Sequence, residues 1–314
     1  MSATTEPTTT PTPTAVTAPA NEPSQLTKDT YRGRIHPDWC PGCGDFSVLA
    51  ALQTAMFELE LEPHQVCVIS GIGCSSNLPG YVNTYGMHTL HGRALAVATG
   101  VQMANHSLKV IVTGGDGDGF GIGGNHFIHT MRRNVDLLYL VMDNQIYGLT
   151  TGQTSPTSRK GMKTKSMPYG NVEEPINPIA IALAAGATFV ARGYSAEPKQ
   201  LMDLIRQGME HKGFAFIDVF SPCVTYNHDN TYAWFKERVK KLEDDGSFDP
   251  SDWHEAMKRA LLWGDQIPIG KFFQRTDLPS LDQSEPVLNG GGPLAHREVR
   301  ITKEAAATFL AELM

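Results

Sequence analysis

Asp116 and Asn144 are the residues whose type and placement first suggest chemistry. Asp116 stands in Gly114-Gly115-Asp116-Gly117-Asp118-Gly119, and Asn144 in Asp143-Asn144-Gln145-Ile146-Tyr147-Gly148. Each run follows a short apolar stretch, 109–113 and 137–142, and residues 122–134 between them suffice for one crossover helix. Strand, helix and strand in that order form a right-handed parallel unit. Both loops then emerge at the carboxyl edge of the sheet, where ligands bind in such folds. Asp116 and Asn144 would face each other across a small gap. A carboxylate, an amide oxygen and a backbone carbonyl are donors that Mg²⁺ accepts, with phosphate oxygens and water completing the octahedron. Gly115 and Gly117 let backbone amides approach a pyrophosphate.

Gly119-Phe120-Gly121-Ile122-Gly123-Gly124 also spells G-x-G-x-x-G, with Asp143 about twenty residues later, the outline of a dinucleotide fingerprint. It begins several residues after the strand end instead of directly at it. The loop that does leave the strand carries Asp116 and Asp118, which repel a pyrophosphate unless a cation lies between. The nicotinamide reading is therefore set aside.

Cysteines supply the second constellation. Cys67 lies between Val66 and Val68 and reads as a buried free thiol. The other four each sit in a Gly/Pro/Ser turn: Cys40 and Cys43 flank Pro41-Gly42, Cys74 follows Gly71-Ile72-Gly73, and Cys223 follows Ser221-Pro222. Loops at one sheet edge can converge, and four thiolates suit either a [4Fe–4S] cluster or tetrahedral zinc. Spacing leaves that choice open, and the C-x-x-C alone also fits a zinc knuckle or a redox dithiol.

The elements that must hold these loops follow from periodicity. Residues 46–59 read as a helix, 65–70 as a buried strand and 93–105 as a helix of small residues. After the two strands already described come a helix (178–185), a strand (187–192), a helix (197–211) and a last buried strand (214–220). Alternation of this kind predicts an α/β fold, a doubly wound parallel sheet with helices on both faces. Beyond 227 the pattern changes. Helices are expected over 232–242 and 252–263, and the Pro- and Gly-rich stretch 264–292 promises few regular elements. The expected division is a disordered Thr/Pro/Ala-rich tail (1–24), a cofactor-binding domain (25–227) and an irregular C-terminal extension (228–314) that packs on a partner subunit.

The chain has 314 residues, 41% hydrophobic and 19% charged, enough for one large core. Its net charge of -7 argues against nucleic acid as the main partner. No apolar run reaches membrane-spanning length, and the N-terminus lacks a basic start followed by an apolar stretch. The chain reads as cytoplasmic, where disulfides are not expected.

The G-D-G run with its later D-N resembles the thiamine diphosphate motif of thiamine-dependent enzymes. In order along the chain stand His36-Pro37-Asp38-Trp39-Cys40-Pro41-Gly42-Cys43-Gly44, Gly71-Ile72-Gly73-Cys74-Ser75, His91-Gly92-Arg93-Ala94 and the Asp116 loop. The Asn144 loop continues into Leu149-Thr150, and Gly152-Gln153-Thr154-Ser155-Pro156-Thr157 and Ser221-Pro222-Cys223 follow. Together these words resemble the beta subunit of the 2-oxoacid:ferredoxin oxidoreductases, closely over 31–227 and more loosely beyond.

That resemblance implies thiamine diphosphate, Mg²⁺ and a [4Fe–4S] cluster as cofactors, with coenzyme A as co-substrate. It implies Mg²⁺ ligation by Asp116, the Asn144 side chain and the Ile146 carbonyl, and cluster ligation by Cys40, Cys43, Cys74 and Cys223. Gly73, Cys74, Ser75, Gly115, Gly117, Tyr147, Gly148 and Leu149 would line the cofactor pocket. His91 would hydrogen-bond phosphate or substrate, and Leu149, Thr150 and Thr151 would face substrate. Arg93 reads either as a partner for a carboxylate or phosphate or as an ordinary surface residue. His126 and His129, at i,i+3 on the crossover helix, have the spacing of metal ligands but read rather as packed or solvent-facing.

The reaction implied is CoA-dependent oxidative decarboxylation of a 2-oxoacid, reversible as reductive carboxylation, with electrons leaving to a separate ferredoxin. The words around Trp39 and Leu149 look more like members acting on 2-oxoglutarate, with pyruvate and branched-chain oxoacids as alternatives. Thiamine chemistry also needs a glutamate on the cofactor's aminopyrimidine. None of Glu58, Glu60, Glu62, Glu173 or Glu174 stands in a motif for that task. In the family the partner alpha subunit provides it, so a heterodimer or dimer of heterodimers is expected. Two rivals remain at this point: a non-oxidative thiamine enzyme with a structural zinc, and a cluster- or zinc-bearing interaction module.

Overall fold

Short runs of β-branched and aromatic residues build the centre of an eight-stranded sheet in this computed structural model, which describes residues 26–298 and 301–313. The 1–24 tail lies outside the described residues. The strands are β1 (Val66–Ser70), β2 (Tyr85–His88), β3 (Lys109–Gly115), β4 (Leu137–Asp143), β5 (Phe189–Tyr194), β6 (Phe214–Phe220), β7 (Val239–Lys241) and β8 (Ile267–Gln274). Their order is β2-β1-β3-β4-β6-β5-β8-β7. All pairs are parallel except β5 with β8. Central strands β4 and β6 are buried along their whole length, which is why they read as continuous apolar runs.

The helices are α1 (Asp45–Glu58), α2 (Ala94–Ala104), α3 (Gly124–Arg132), α4 (Pro178–Ala184), α5 (Pro198–Glu210), α6 (Tyr232–Arg238), α7 (Trp253–Ala260), α8 (Leu281–Ser284) and α9 (Lys303–Glu312). Side chains alternate across the sheet with period two. Leu138, Leu140 and Met142 of β4 pack with α1 and α5 in one apolar layer. Leu137, Tyr139 and Val141 of the same strand join α2, α3, α4 and α7 in the other. The sheet is therefore covered on both faces, as expected. No helix among the described residues is long and apolar enough to cross a membrane.

The C-terminal part departs from the sequence expectation. The stretch 264–292 contains β8, an eight-residue strand lying between β5 and β7. Pro268 and Gly270 disguise it, because both residues normally mark edges and bulges. The helix expected over 232–242 ends at Arg238, and the chain then extends as β7 to pair with β8. Ile267 and Ile269 bury against Tyr194, Phe220 and Phe235, so this segment packs on its own sheet. The helix expected over 252–263 starts at Trp253, capped by the Asp252 carboxylate on the amides of His254 and Glu255, and ends at Ala260. Strand β2 was not foreseen: it is an exposed edge strand with no buried face to pattern it.

One buried charge pair ties β5 to β6. Arg192 Nε donates to Asp218 Oδ2 at 3.0 Å, and both side chains are essentially inaccessible. The guanidinium also lies 5.0 Å from the Phe220 ring centre. Removing one partner leaves the other charged and dry, which costs about 3–5 kcal/mol. Asp218→Ala is expected to lower the urea unfolding midpoint accordingly, and an unchanged midpoint would count against any structural weight for this pair.

Candidate active site

The chain leaves β1 outward to edge strand β2 and returns through α2 to β3 on the other side. The carboxyl ends of β1 and β3 thus diverge, making the crevice where such sheets bind ligands. A cleft of ≈ 490 Å³ opens there. Gly73, Cys74 and Ser75 enter it from the β1 loop, and Gly115, Asp116 and Gly117 from the β3 loop. The β4 loop adds Asn144, Ile146, Tyr147, Gly148, Leu149 and Thr150, and His91 arrives from the turn before α2. Thr151 is exposed beside this cleft at φ 75° and is not among its walls. His126 and His129 lie on α3, outside it.

Register explains the approach of the two motif loops. Gly115 of β3 pairs with Met142 of β4, so Asp116 and Asp143 follow at neighbouring strand ends. The Thr157 hydroxyl lies 2.5 Å from Asp116 Oδ2 and 2.9 Å from Asp143 Oδ1. Its single proton can satisfy only one of them at a time. Burial pushes the Asp116 carboxyl up to about 6, partly offset by hydrogen bonds from Ser155 and Thr157. Burial, followed by the charges of Asp116 and Asp218, raises the Asp143 carboxyl well above its ordinary value. Two dry carboxyl groups this close favour a bound cation, which would reverse the shift at Asp116.

The remaining donors fit a hard cation. Asn144 Oδ1 accepts from the Ile146 amide at 3.0 Å, and Gln145 takes φ 57°, bending the loop back on itself. Asn227 Nδ2 donates to the Asn144 carbonyl at 2.9 Å and Ser158 Oγ to the Gln145 carbonyl at 2.6 Å. These bonds brace the Asn144 loop, and Asp116, Asn144 and Ile146 line one cleft, where a carboxylate and an amide oxygen are donor types that suit a hard cation. Tyr147 donates its hydroxyl to the Gly117 carbonyl at 3.1 Å, and a Cβ at Gly117 would collide with the Tyr147 ring. Gly117 is therefore required by close approach.

All four loop cysteines line a second cavity, of ≈ 740 Å³. Cys74, Asn144, Gly148 and Leu149 are walls of both cavities. The Sγ atoms of Cys74 and Cys223 each lie 3.7 Å from where a Gly148 Cβ would stand. The Cys40 carbonyl accepts from the Cys43 amide at 3.0 Å, closing the C-x-x-C turn. Gly44 N donates to the Pro222 carbonyl at 3.3 Å, which joins that turn to the Cys223 loop. Trp39 Nε1 donates to the Cys74 carbonyl at 2.7 Å. Burial, then the Asp45 charge, pushes the Cys74 thiol up to about 11 and the Cys43 thiol higher still. Protonated thiols of this kind become thiolates when metal binds. Among the described residues no three His, Cys, Asp or Glu side chains converge tightly enough for a single metal ion. The cysteines surround a cavity instead of a point.

Several site residues were not singled out from the sequence. Thr157 stands in the Gly152–Thr157 word without an evident task, and Asn227 carries no motif at all. Asp45, 1% exposed beside Cys43, accepts from the Ser221 hydroxyl at 2.5 Å, and burial lifts it to about 6. Arg93 Nη1 donates to the Gly92 and Ile122 carbonyls at 3.3 and 3.2 Å, which places it in the scaffold of the His91 turn.

Sheet order, switch-point cleft and motif loops together define a thiamine pyrophosphate-binding domain. The profile described as thiamine pyrophosphate enzyme, C-terminal TPP binding domain, matches residues 69–219. The profile for the C terminal of the pyruvate ferredoxin oxidoreductase beta subunit matches residues 223–289. The chain is 51% identical over 253 residues to the 2-oxoacid:ferredoxin oxidoreductase 1 subunit beta of Aeropyrum pernix, covering 78% of this chain and 80% of that one. It is 45% identical over 203 residues to the 2-oxoglutarate oxidoreductase subunit KorB of Mycobacterium tuberculosis, covering 65% and 54%. Among solved structures it is similar to a chain of 2-oxoglutarate:ferredoxin oxidoreductase from Magnetococcus marinus, determined with 2-oxoglutarate, coenzyme A and succinyl-CoA bound. There the TM-score is 0.84 at 42% identity, over 91% of this chain and 96% of that one. The chain belongs to the beta subunits of the 2-oxoacid:ferredoxin oxidoreductases.

Proposed function

We propose that this beta subunit, with an alpha subunit, carries out CoA-dependent oxidative decarboxylation of 2-oxoglutarate, passing electrons through a [4Fe–4S] cluster to ferredoxin. The carrying observation is the shared wall. Cys74, Asn144, Gly148 and Leu149 border both the cleft and the cysteine cavity. A redox group in the second cavity would therefore touch the reaction site in the first. Oxidation of a decarboxylated intermediate needs a redox group within electron-transfer distance, whereas a simple decarboxylase does not.

In this reading Asp116, Asn144 and the Ile146 carbonyl hold Mg²⁺, and the amides of the β3 loop receive the diphosphate. Thiamine diphosphate, when bound, supplies the electron sink for loss of CO₂. Cys40, Cys43, Cys74 and Cys223 hold the cluster, since four thiols spread around a cavity suit a group larger than one ion. Leu149 and Thr150, beside the metal loop, meet the substrate. Among the described residues no glutamate lines the cleft; in this reading the alpha subunit supplies the group that activates the cofactor. The same chemistry run backward is reductive carboxylation. The preference for 2-oxoglutarate over pyruvate rests on the named activities of the relatives.

The test is elemental analysis of the anaerobically purified protein, co-produced with its alpha chain. About four iron and four acid-labile sulfide per beta chain are expected. About one zinc without sulfide would instead make this a non-oxidative thiamine enzyme with a structural site. Comparing kcat/KM for 2-oxoglutarate and pyruvate in the same preparation decides the substrate.

A further inference from the structure

The second aspartate of the β3 loop makes contacts outside the metal and diphosphate roles. Asp118 is 3% exposed and follows the candidate metal ligand by two residues. Its Oδ1 accepts from the Ile72 amide at 3.0 Å and from the Gly92 amide at 2.7 Å. His91 Nδ1 stands 2.8 Å from the same oxygen, an ion-pair distance at an angle too bent for a ring N–H hydrogen bond. Its Oδ2 presses on the opposite side, where a Cβ at Gly71 would collide with it. One carboxylate thus joins the loop after β1, the turn before α2 and the loop after β3, the three segments that frame the cleft.

Arg93 does not share this task, since its Nη1 is spent on backbone carbonyls. The cation-capable group facing Asp118 is His91. That side chain is 39% exposed and lines the cleft, with the Tyr147 ring edge-on at 6.4 Å. The carboxylate at ion-pair distance from Nδ1 can pair with a ring proton there and so restrain the side chain. Nε2 is then the polar atom left for the cleft. Carrying a proton, Nε2 donates a hydrogen bond to an anionic oxygen.

We propose that Asp118 is a positioning residue that acts through His91, orienting Nε2 toward an anionic oxygen bound in the cleft. The oxygen belongs either to the cofactor's diphosphate or to the oxoacid carboxylate. This inference rests on the cleft being the thiamine and oxoacid site.

The test is a double-mutant cycle in the assembled complex with alpha subunit, using Asp118→Asn, His91→Asn and the pair. Asp118→Asn keeps an oxygen for the Ile72 and Gly92 amides and removes the charge. His91→Asn keeps a donor toward Asp118 and removes the atom facing the cleft. Each single change is expected to lower kcat/KM roughly 10-fold or more, the scale of one hydrogen bond to a charged group. The pair should be no worse than His91→Asn alone, because both remove the same contact. Losses that multiply would overturn the proposal, since Asp118 would then act without His91.

Thiamine diphosphate affinity and KM for 2-oxoglutarate, measured on the same variants, identify the oxygen. A weaker cofactor Kd assigns it to diphosphate, and a raised KM at unchanged Kd assigns it to substrate. If Asp118→Asn does not assemble, His91→Gln against His91→Asn decides. Gln restores a polar group near the Nε2 position and should retain more activity; equal or better activity in Asn overturns the inference. An inactive wild-type complex that binds no thiamine diphosphate would reject the underlying site reading, a result distinct from additive losses in an active enzyme.

Discussion

Asp116→Ala is expected to abolish thiamine diphosphate retention and lower 2-oxoacid-dependent viologen reduction about 1,000-fold, the scale of removing one preorganised electrostatic contact in a dry site. The carboxylate is 1% exposed and sits where the two motif loops meet. Its burial already favours neutralisation, by a proton when alone and by a cation when one is available. Alanine removes both options and leaves the Thr157 hydroxyl with Asp143 as its remaining carboxylate partner. The fold should survive, because the side chain reaches into the cleft and contributes nothing to the apolar layers. Gel filtration followed by cofactor assay reads the first effect, and dye reduction the second. Full activity in this variant would remove Asp116 from the metal site. Asp116→Asn provides the comparison: it retains shape and one oxygen donor, so partial cofactor binding is expected at raised Mg²⁺.

The second large effect is expected from Cys223→Ser. Iron and sulfide are expected to fall well below about four per chain, because a serine hydroxyl is a poorer ligand for a [4Fe–4S] cluster than a thiolate. Thiamine diphosphate binding should persist, since Cys223 lines the cysteine cavity and not the cofactor cleft. This split separates the two cavities experimentally. It also separates oxidation from decarboxylation: CO₂ release from 2-oxoglutarate should continue slowly while ferredoxin reduction stops. Unchanged iron and sulfide would exclude Cys223 as a ligand. A folded protein that lost both cluster and cofactor would show that the wall shared by the two cavities couples the sites.

The strand pattern was legible because central strands of a covered parallel sheet are apolar without interruption, and glycines mark where such strands end. Hence 109–113 and 137–142 lie within β3 and β4, and the pattern alone suffices to put Asp116 and Asn144 at one edge. The four loop cysteines were legible as a set for the same reason, since each stands in a turn. Strand β8 was hidden because Pro268 and Gly270 signal a break, while pairing with β5 and β7 supplies an extended conformation that local preference does not. The turn at Arg238 was hidden too: the amphipathic pattern continues past it, and only the partner strand decides that the helix stops.

Local sequence determined which residue types stand at strand ends, because side-chain period and glycine placement act over a few residues. That is enough to name the donors Asp116 and Asn144 and the four candidate thiols. Tertiary structure decided which of those loops share a wall. Cys40 and Cys43 precede α1, Cys74 follows β1 and Cys223 follows β6, and the parallel sheet alone gathers their loops at one edge. It also decided that Asp118, two residues from Asp116, reaches Ile72, Gly92 and His91, and that Thr157 stands between two carboxyl groups. Those contacts join residues far apart in the chain, and their geometry depends on strand register and loop closure, which no short stretch of sequence encodes.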